Sequence, residues 1–223
     1  MKALFLSILA LLPAAASAQR DTLGVLERSS VFSAEDERAV AGFHTESPAM
    51  MLYRSEQSLS QISLRIDLRR EQEALLQPLG DGAFDGGFYA ESYRRLSERS
   101  ATWADARYVR GNRRNVCWNS TADYLLLYPC ITADSAGGNL STEEYAFGGG
   151  YVHRVGRFDL AIRGDYRAGQ EYRQVDPRPH NVVSDFTIKL GVGMQFPLYV
   201  LGLDLQGRLY KQDQDIDFFY PPG

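Results

Sequence analysis

Phe158-Asp159-Leu160-Ala161-Ile162-Arg163-Gly164-Asp165-Tyr166-Arg167-Ala168-Gly169 decides the fold. Phe158, Leu160, Ile162, Gly164, Tyr166 and Ala168 alternate with Asp159, Ala161, Arg163, Asp165, Arg167 and Gly169. A period of two means a strand with one apolar and one polar face. An ordinary strand has about five or six residues, whereas one crossing a bilayer in a barrel needs about 9–11. This stretch falls in the second class. It predicts an all-β chain, an antiparallel up-and-down transmembrane β-barrel.

The same pattern spreads outward. Strands are expected at Arg157–Arg173, Asp185–Phe196, Tyr199–Gln212, Glu144–Val155, Ser60–Arg70, Thr102–Arg110 and, least cleanly, Phe88–Leu96, where Arg94 falls on the apolar face. In a tight hairpin the residues flanking the turn share a face. Val155 pairs with Phe158 across Gly156-Arg157, and Phe196 with Tyr199 across Pro197-Leu198. The expected lipid-facing set is therefore Phe158, Leu160, Ile162, Phe186, Ile188, Leu190, Phe196, Tyr199, Leu201 and Leu203. Short turns at 97–100, 156–157 and 197–198 alternate with long connections at 71–87, 111–141 and 174–182. Outer-membrane barrels have this alternation of short periplasmic turns and long extracellular loops. The Leu125-Leu126-Leu127 run does not alternate and points to packing within a long loop. Single-chain barrels usually have an even strand number, and an odd seven leaves open edges whose backbone groups are costly in lipid. The expectation is an incomplete barrel, the N-terminal part of a longer protein.

Met1-Lys2, an apolar run to Ala16 and Ser17-Ala18 read as a signal peptide over residues 1–18. Residues 19–57 read as a periplasmic N-terminal segment, with a short helix from Ser33 to Ala41 and a turn at Glu46–Ala49. Residues 58–212 hold the strands, and 213–223 begin an extracellular loop. The place implied is the outer membrane of a Gram-negative bacterium. The partners are outer-membrane lipid and the barrel-assembly machinery.

The net charge of −4 gives no support to nucleic-acid binding. Arg65, Asp67, Asp105, Arg107, Arg163, Asp165, Arg167, Glu171, Lys189, Asp204 and Arg208 fall on the inward face. Both signs occur there, which favours cross-strand ion pairs over a selective pore. Cys117 and Cys130 share one long loop; a disulfide between them and two free thiols are both open readings. His153 lies on the outward face beside Tyr151, and His180 is read as a solvated loop residue. No residue is assigned to catalysis, a metal or a cofactor. The function expected is a channel, passive-transport or structural role without enzymatic activity. Asp176, His180 and Asp185 are the rim candidates for an alternative, a membrane-embedded protease or lipid-modifying enzyme. A soluble barrel with its apolar faces turned inward around a small ligand is a further alternative.

Asn115-Val116-Cys117-Trp118-Asn119, Leu126-Leu127-Tyr128-Pro129 with Ala133-Asp134-Ser135, Glu144–Tyr151 and Glu171–Pro179 resemble an uncharacterised family of outer-membrane β-barrel proteins from anaerobic gut-type Gram-negative bacteria. The resemblance covers most of the chain beyond residue 18. It implies a barrel in proteins longer than this one. The family has no assigned activity, so no functional residue follows from it.

Overall fold

The computed structural model describes residues 47–54 and 58–218. The signal peptide read at 1–18, the helix read at Ser33–Ala41 and residues 219–223 lie outside the described residues. The described strands are β1 (Ser58–Arg70), β2 (Gly82–Ser97), β3 (Ser100–Val116), β4 (Gly138–Val155), β5 (Phe158–Tyr172), β6 (Arg178–Gln195) and β7 (Val200–Asp217). They form one antiparallel sheet in chain order, and the sheet is not closed, so β1 and β7 are its edges. With seven strands in antiparallel sequence, these two edges run in the same direction.

The registers follow the flanking-pair rule. Val155 faces Phe158. At the next tight turn the Phe196 N–H donates to the Tyr199 carbonyl at 2.9 Å, and the two rings stack at 4.6 Å. Gly156 sits at φ +63°, a left-handed value that a two-residue hairpin loop needs and glycine adopts most cheaply.

The strands are longer than alternation alone predicts. β2, β3, β4 and β6 all extend toward the long loops, and β7 runs on through residues 213–217, read from sequence as loop. His180 lies within β6, opposite Tyr172, and not in a loop. The reason is physical. In Gln212-Asp213-Gln214-Asp215-Ile216-Asp217 both faces are mostly polar, so the two-residue period disappears while the hydrogen-bond ladder continues. The long loop holds a single helical turn, α1 (Tyr124–Leu127), with Leu125 and Leu126 exposed rather than packed.

One face of the sheet is covered and the other bare. A 3-10 segment, Pro48–Tyr53, lies on the covered face against β3 to β7. Met51 and Leu52 are buried there with Tyr93, Ala101, Trp103 and Val152, and Ala161 packs beside them. The Trp103 ring packs against Gly150, where a Cβ would stand 2.3 Å from it; only glycine leaves room. On the bare face, Leu64, Leu203 and Leu205 are 81%, 76% and 71% exposed.

The apolar residues of the bare face form a band that crosses the sheet obliquely. On β1 it spans Ile62 to Leu68, centred on position 65; on β7 it spans Leu201 to Leu209, centred on position 205. Following the pairing from Arg65 through Gly87, Val109, Glu144, Gly169 and Val183 leads to Gln212, seven positions past Leu205. Most of this drift falls between β1 and β4.

Candidate functional site

The covered face carries the polar half of every strand. It has three zones.

At the short-turn end the 3-10 segment is fixed by side chains reaching up from the sheet. The Tyr93 hydroxyl donates to the Met51 carbonyl at 2.9 Å, and Arg95 donates to the carbonyls of Leu52 and Arg54 at 2.6 and 2.8 Å. These bonds satisfy backbone acceptors that so short a helix leaves open. Tyr53 donates to Asp159 at 2.5 Å, and Arg154 holds the same fully buried carboxylate at 2.6 Å. Burial and the Asp159 carboxylate push the Tyr53 hydroxyl above its ordinary pKa. Ser47 bonds Asp204 at 2.9 Å.

The middle zone is a ladder of ion pairs. Arg163 bridges Asp165 on its own strand and Asp105 on β3. Arg107 meets Glu144 at 2.6 Å, and Arg208 meets Asp185 at 2.7 Å. Arg65 lies over the Tyr89 ring.

At the far end the 117–137 loop folds onto the sheet. Its Asp123 pairs with Arg167 at 2.5 Å and accepts from the Tyr210 hydroxyl at 3.0 Å. Arg167 also reaches Glu144 and Asp185. Buried Asn181 donates to the Ser120 carbonyl at 2.8 Å, Gln214 bonds the same carbonyl, and Arg173 pairs with Asp134. Between this loop and β1 to β5 opens a cleft of about 700 Å³, lined by acids, arginines and Leu140 of the strands, by Leu79 of the β1–β2 connection and by Tyr124 and Leu126 of the loop. A smaller hollow of about 290 Å³ shares Asp67, Asp85, Arg113, Asp123 and Glu171 with it.

Glu171 stands out in the cleft. It lies beyond the apolar band, at a level where the bare face carries Glu143, Gln170 and Asp213. Burial pushes its carboxyl up to about 7; Arg113 pulls it down and Asp123 pushes it further up.

Arg65, Asp67, Asp105, Arg107, Arg163, Asp165, Arg167, Lys189, Asp204 and Arg208 all fall on the covered face, as their parity predicts. The structure brings Arg163 together with Asp105 and Asp165; it does not join Asp67 or Lys189 to another side chain among the described residues. Phe158, Leu160, Ile162, Phe186, Ile188, Leu190, Tyr199, Leu201 and Leu203 are exposed on the opposite side. The rim residues do not converge. Asp185 points into the covered face toward Arg208, while His180 sits on the bare side against Tyr172, and Asp176 pairs with Arg178. His153 stacks on Tyr151 as its parity implies. Cys117 and Cys130 are free thiols, and the Cys117 Sγ approaches the Ser135 carbonyl at 3.6 Å.

Sequence reasoning missed the contributions from outside the strands: Tyr53 and the backbone of the 3-10 segment, and Asp123, Ser120 and Asp134 from the long loop. Asp123 left one trace, an acid next to the run Tyr124–Tyr128, but nothing in the chain pairs it with Arg167, 44 positions away.

No curated protein and no solved structure matches the chain. Residues 48–222, which include the 3-10 segment and all seven described strands, match the model of the family of unknown function DUF6850, and the chain belongs to that family.

Proposed function

We propose that this chain forms a stretch of wall of an outer-membrane β-barrel, after export by an N-terminal signal peptide, with a structural or closed-lumen role and no catalytic centre. The oblique apolar band carries the proposal. A drift of seven residues over six interstrand steps, at about 3.3 Å per residue and about 4.8 Å between strands, corresponds to an average tilt of roughly 39°. Strands of outer-membrane barrels tilt by about 35–45°. A bilayer slab cut across tilted strands leaves this oblique trace, because lipid contact follows the membrane plane and not the register. On β5 the band spans Phe158 to Tyr166, about the length that crosses a bilayer. Charges on the covered face and leucines on the bare one are the reverse of what a soluble barrel around an apolar ligand needs.

β1 and β7 run in the same direction, so antiparallel closure takes at least one further strand between them. Both ends of the covered face are occupied, by Pro48–Tyr53 and by the 117–137 loop, which favours a closed lumen over an open channel. Expression of the full chain in a Gram-negative host and membrane fractionation test the reading. It requires recovery with the outer membrane and a heat-modifiable gel band. Leu190→Arg, at mid-band, is expected to lower folded yield, since an arginine at the bilayer midplane of a barrel costs about 2–4 kcal/mol. A soluble periplasmic protein indifferent to that substitution would overturn the proposal.

A further inference from the structure

The cleft beneath the 117–137 loop holds more negative charge than the structure uses. Asp85 is matched by Arg113 at 2.6 Å, Asp123 by Arg167, and Arg69 by Glu71. Two carboxylates remain. Among the described residues, neither Asp67 nor Glu171 makes a hydrogen bond or an ion pair, and both line the same cleft. Asp67 is exposed on the edge strand and keeps its hydration, whereas Glu171 is half-buried, and a half-buried carboxylate without a partner is costly because its lost hydration is not replaced. Burial pushes the Glu171 carboxyl toward neutral pH, the expected result of that deficit. The neighbouring charges that face it are Arg113, which pulls it down, and Asp123, which pushes it up.

The walls complete a site. The volume of about 700 Å³ lies in the range of small-molecule sites, which combine apolar walls with a few polar groups. Leu79, Tyr124, Leu126 and Leu140 supply apolar and aromatic surface, and the two unmatched acids supply the polar pole. We propose that this cleft binds an organic cation, an amine on an apolar or aromatic body, with its ammonium at Glu171, its body against the leucines and Tyr124, and Asp67 adding negative charge elsewhere on the cleft lining. An anion would meet two unmatched carboxylates and is excluded by repulsion. A neutral molecule of the same shape would gain the walls but leave both acids unpaired.

Phenethylamine, 2-phenylethanol and phenylacetate share a ring and differ in the charge of the head. Calorimetric titration of each into the full chain, folded in neutral detergent at pH 8, tests the proposal. The amine is expected to bind at least ten times more tightly than the alcohol, with no binding of phenylacetate. Glu171→Gln should cost the amine about ten-fold, and Asp67→Asn about three-fold. Arg113→Met removes the competing cation and should tighten the amine by several-fold, a gain that misfolding cannot imitate. Equal affinity for amine and alcohol, or no change in both Glu171→Gln and Arg113→Met, would overturn the site. The outer-membrane reading is judged separately by fractionation: amine selectivity in a protein that fails to fractionate with membrane sinks that reading alone, and the converse sinks only the cleft.

Discussion

The two ends of the covered face are closed by different chemistry. At the short-turn end, Met51 and Leu52 press against Tyr93, Ala101, Trp103 and Val152, and the polar contacts divide between side chains reaching backbone carbonyls and a cluster around buried Asp159. At the long-loop end, Asp123, Arg167, Arg173, Asp134 and Asn181 tie the loop down through charge and hydrogen bonds. Hydrophobic burial is not screened by salt and does not depend on the protonation of carboxylates. Ion pairs are screened and pH-dependent. The short-turn end should therefore behave as fixed structure, and the long-loop end as the part that responds to its surroundings.

The largest expected effect lies in the fixed end. Trp103→Ala removes the largest ring of the core and leaves a cavity over Gly150. The expected loss is about 3–5 kcal/mol in denaturant unfolding. Trp103→Phe should cost far less, since the Trp103 Nε1 has no partner among the described residues and its removal relieves an unsatisfied group. A small loss in Trp103→Ala would mean that the 3-10 segment does not depend on this core, and the contrast between the ends would fail.

The next effect belongs to the loop end. Arg167→Met strips three acids, Asp123, Glu144 and Asp185, of a shared cation. The expected cost is about 1–3 kcal/mol, below that of a fully buried pair because Arg167 keeps partial solvent contact. The sheet should persist while residues 117–137 become cleavable by added protease. Rising salt should produce the same cleavage in the unaltered chain, and should leave Pro48–Tyr53 protected.

The contrast also explains how far the chain could be read. Wherever one strand face is apolar and the other polar, as from Phe158 to Arg167, parity assigned each side chain to its face. The reading faded where both faces turn polar, as from Gln212 to Asp217, because the ladder there rests on backbone bonds that leave no pattern. The candidate cleft was half legible. Parity placed Asp67 and Arg167 on the inner face, but Asp123 comes from an irregular loop, and Glu171 was read only as one inward charge among several. Its distinction arises from burial beneath that loop, a property of the three-dimensional arrangement. The 3-10 segment was equally hidden: Met50-Met51-Leu52-Tyr53 carries no period of two, and what it offers to Tyr93 and Arg95 is backbone carbonyls, which every sequence possesses.

A smaller effect sharpens the responsive end by its sign. The Glu171 carboxyl is raised to about 7 in the folded chain, above its unfolded value. Its protonated form is therefore the one the fold favours. The contribution is fully present below the unfolded pKa, about 4.3, and is lost as pH rises through about 7. Glu171→Gln mimics the protonated form at every pH. It should stabilise the protein at pH 8, by up to about 3 kcal/mol, and change little at pH 4. Unfolding midpoints at the two pH values measure the difference, and a midpoint lowered at pH 8 would show that the Glu171 charge is compensated.

The smallest effect tests the fixed end at the opposite extreme. Burial and Asp159 raise the Tyr53 pKa, so the neutral phenol is the folded form. That contribution is complete below the ordinary tyrosine value of about 10 and disappears as pH rises through the higher folded value. The short-turn end should thus be insensitive across the range where Glu171 titrates and loosen only in strong alkali. Tyr53→Phe removes the titrating group and with it this alkaline step, while the phenol's bond to Asp159 is lost at all pH values. Hydrogen exchange at Met51 and Leu52 reads the outcome directly. Exchange that accelerates between pH 6 and 8, in step with the loop end, would mean that the two ends open as one unit, and their different chemistry would then have no consequence for how the protein moves.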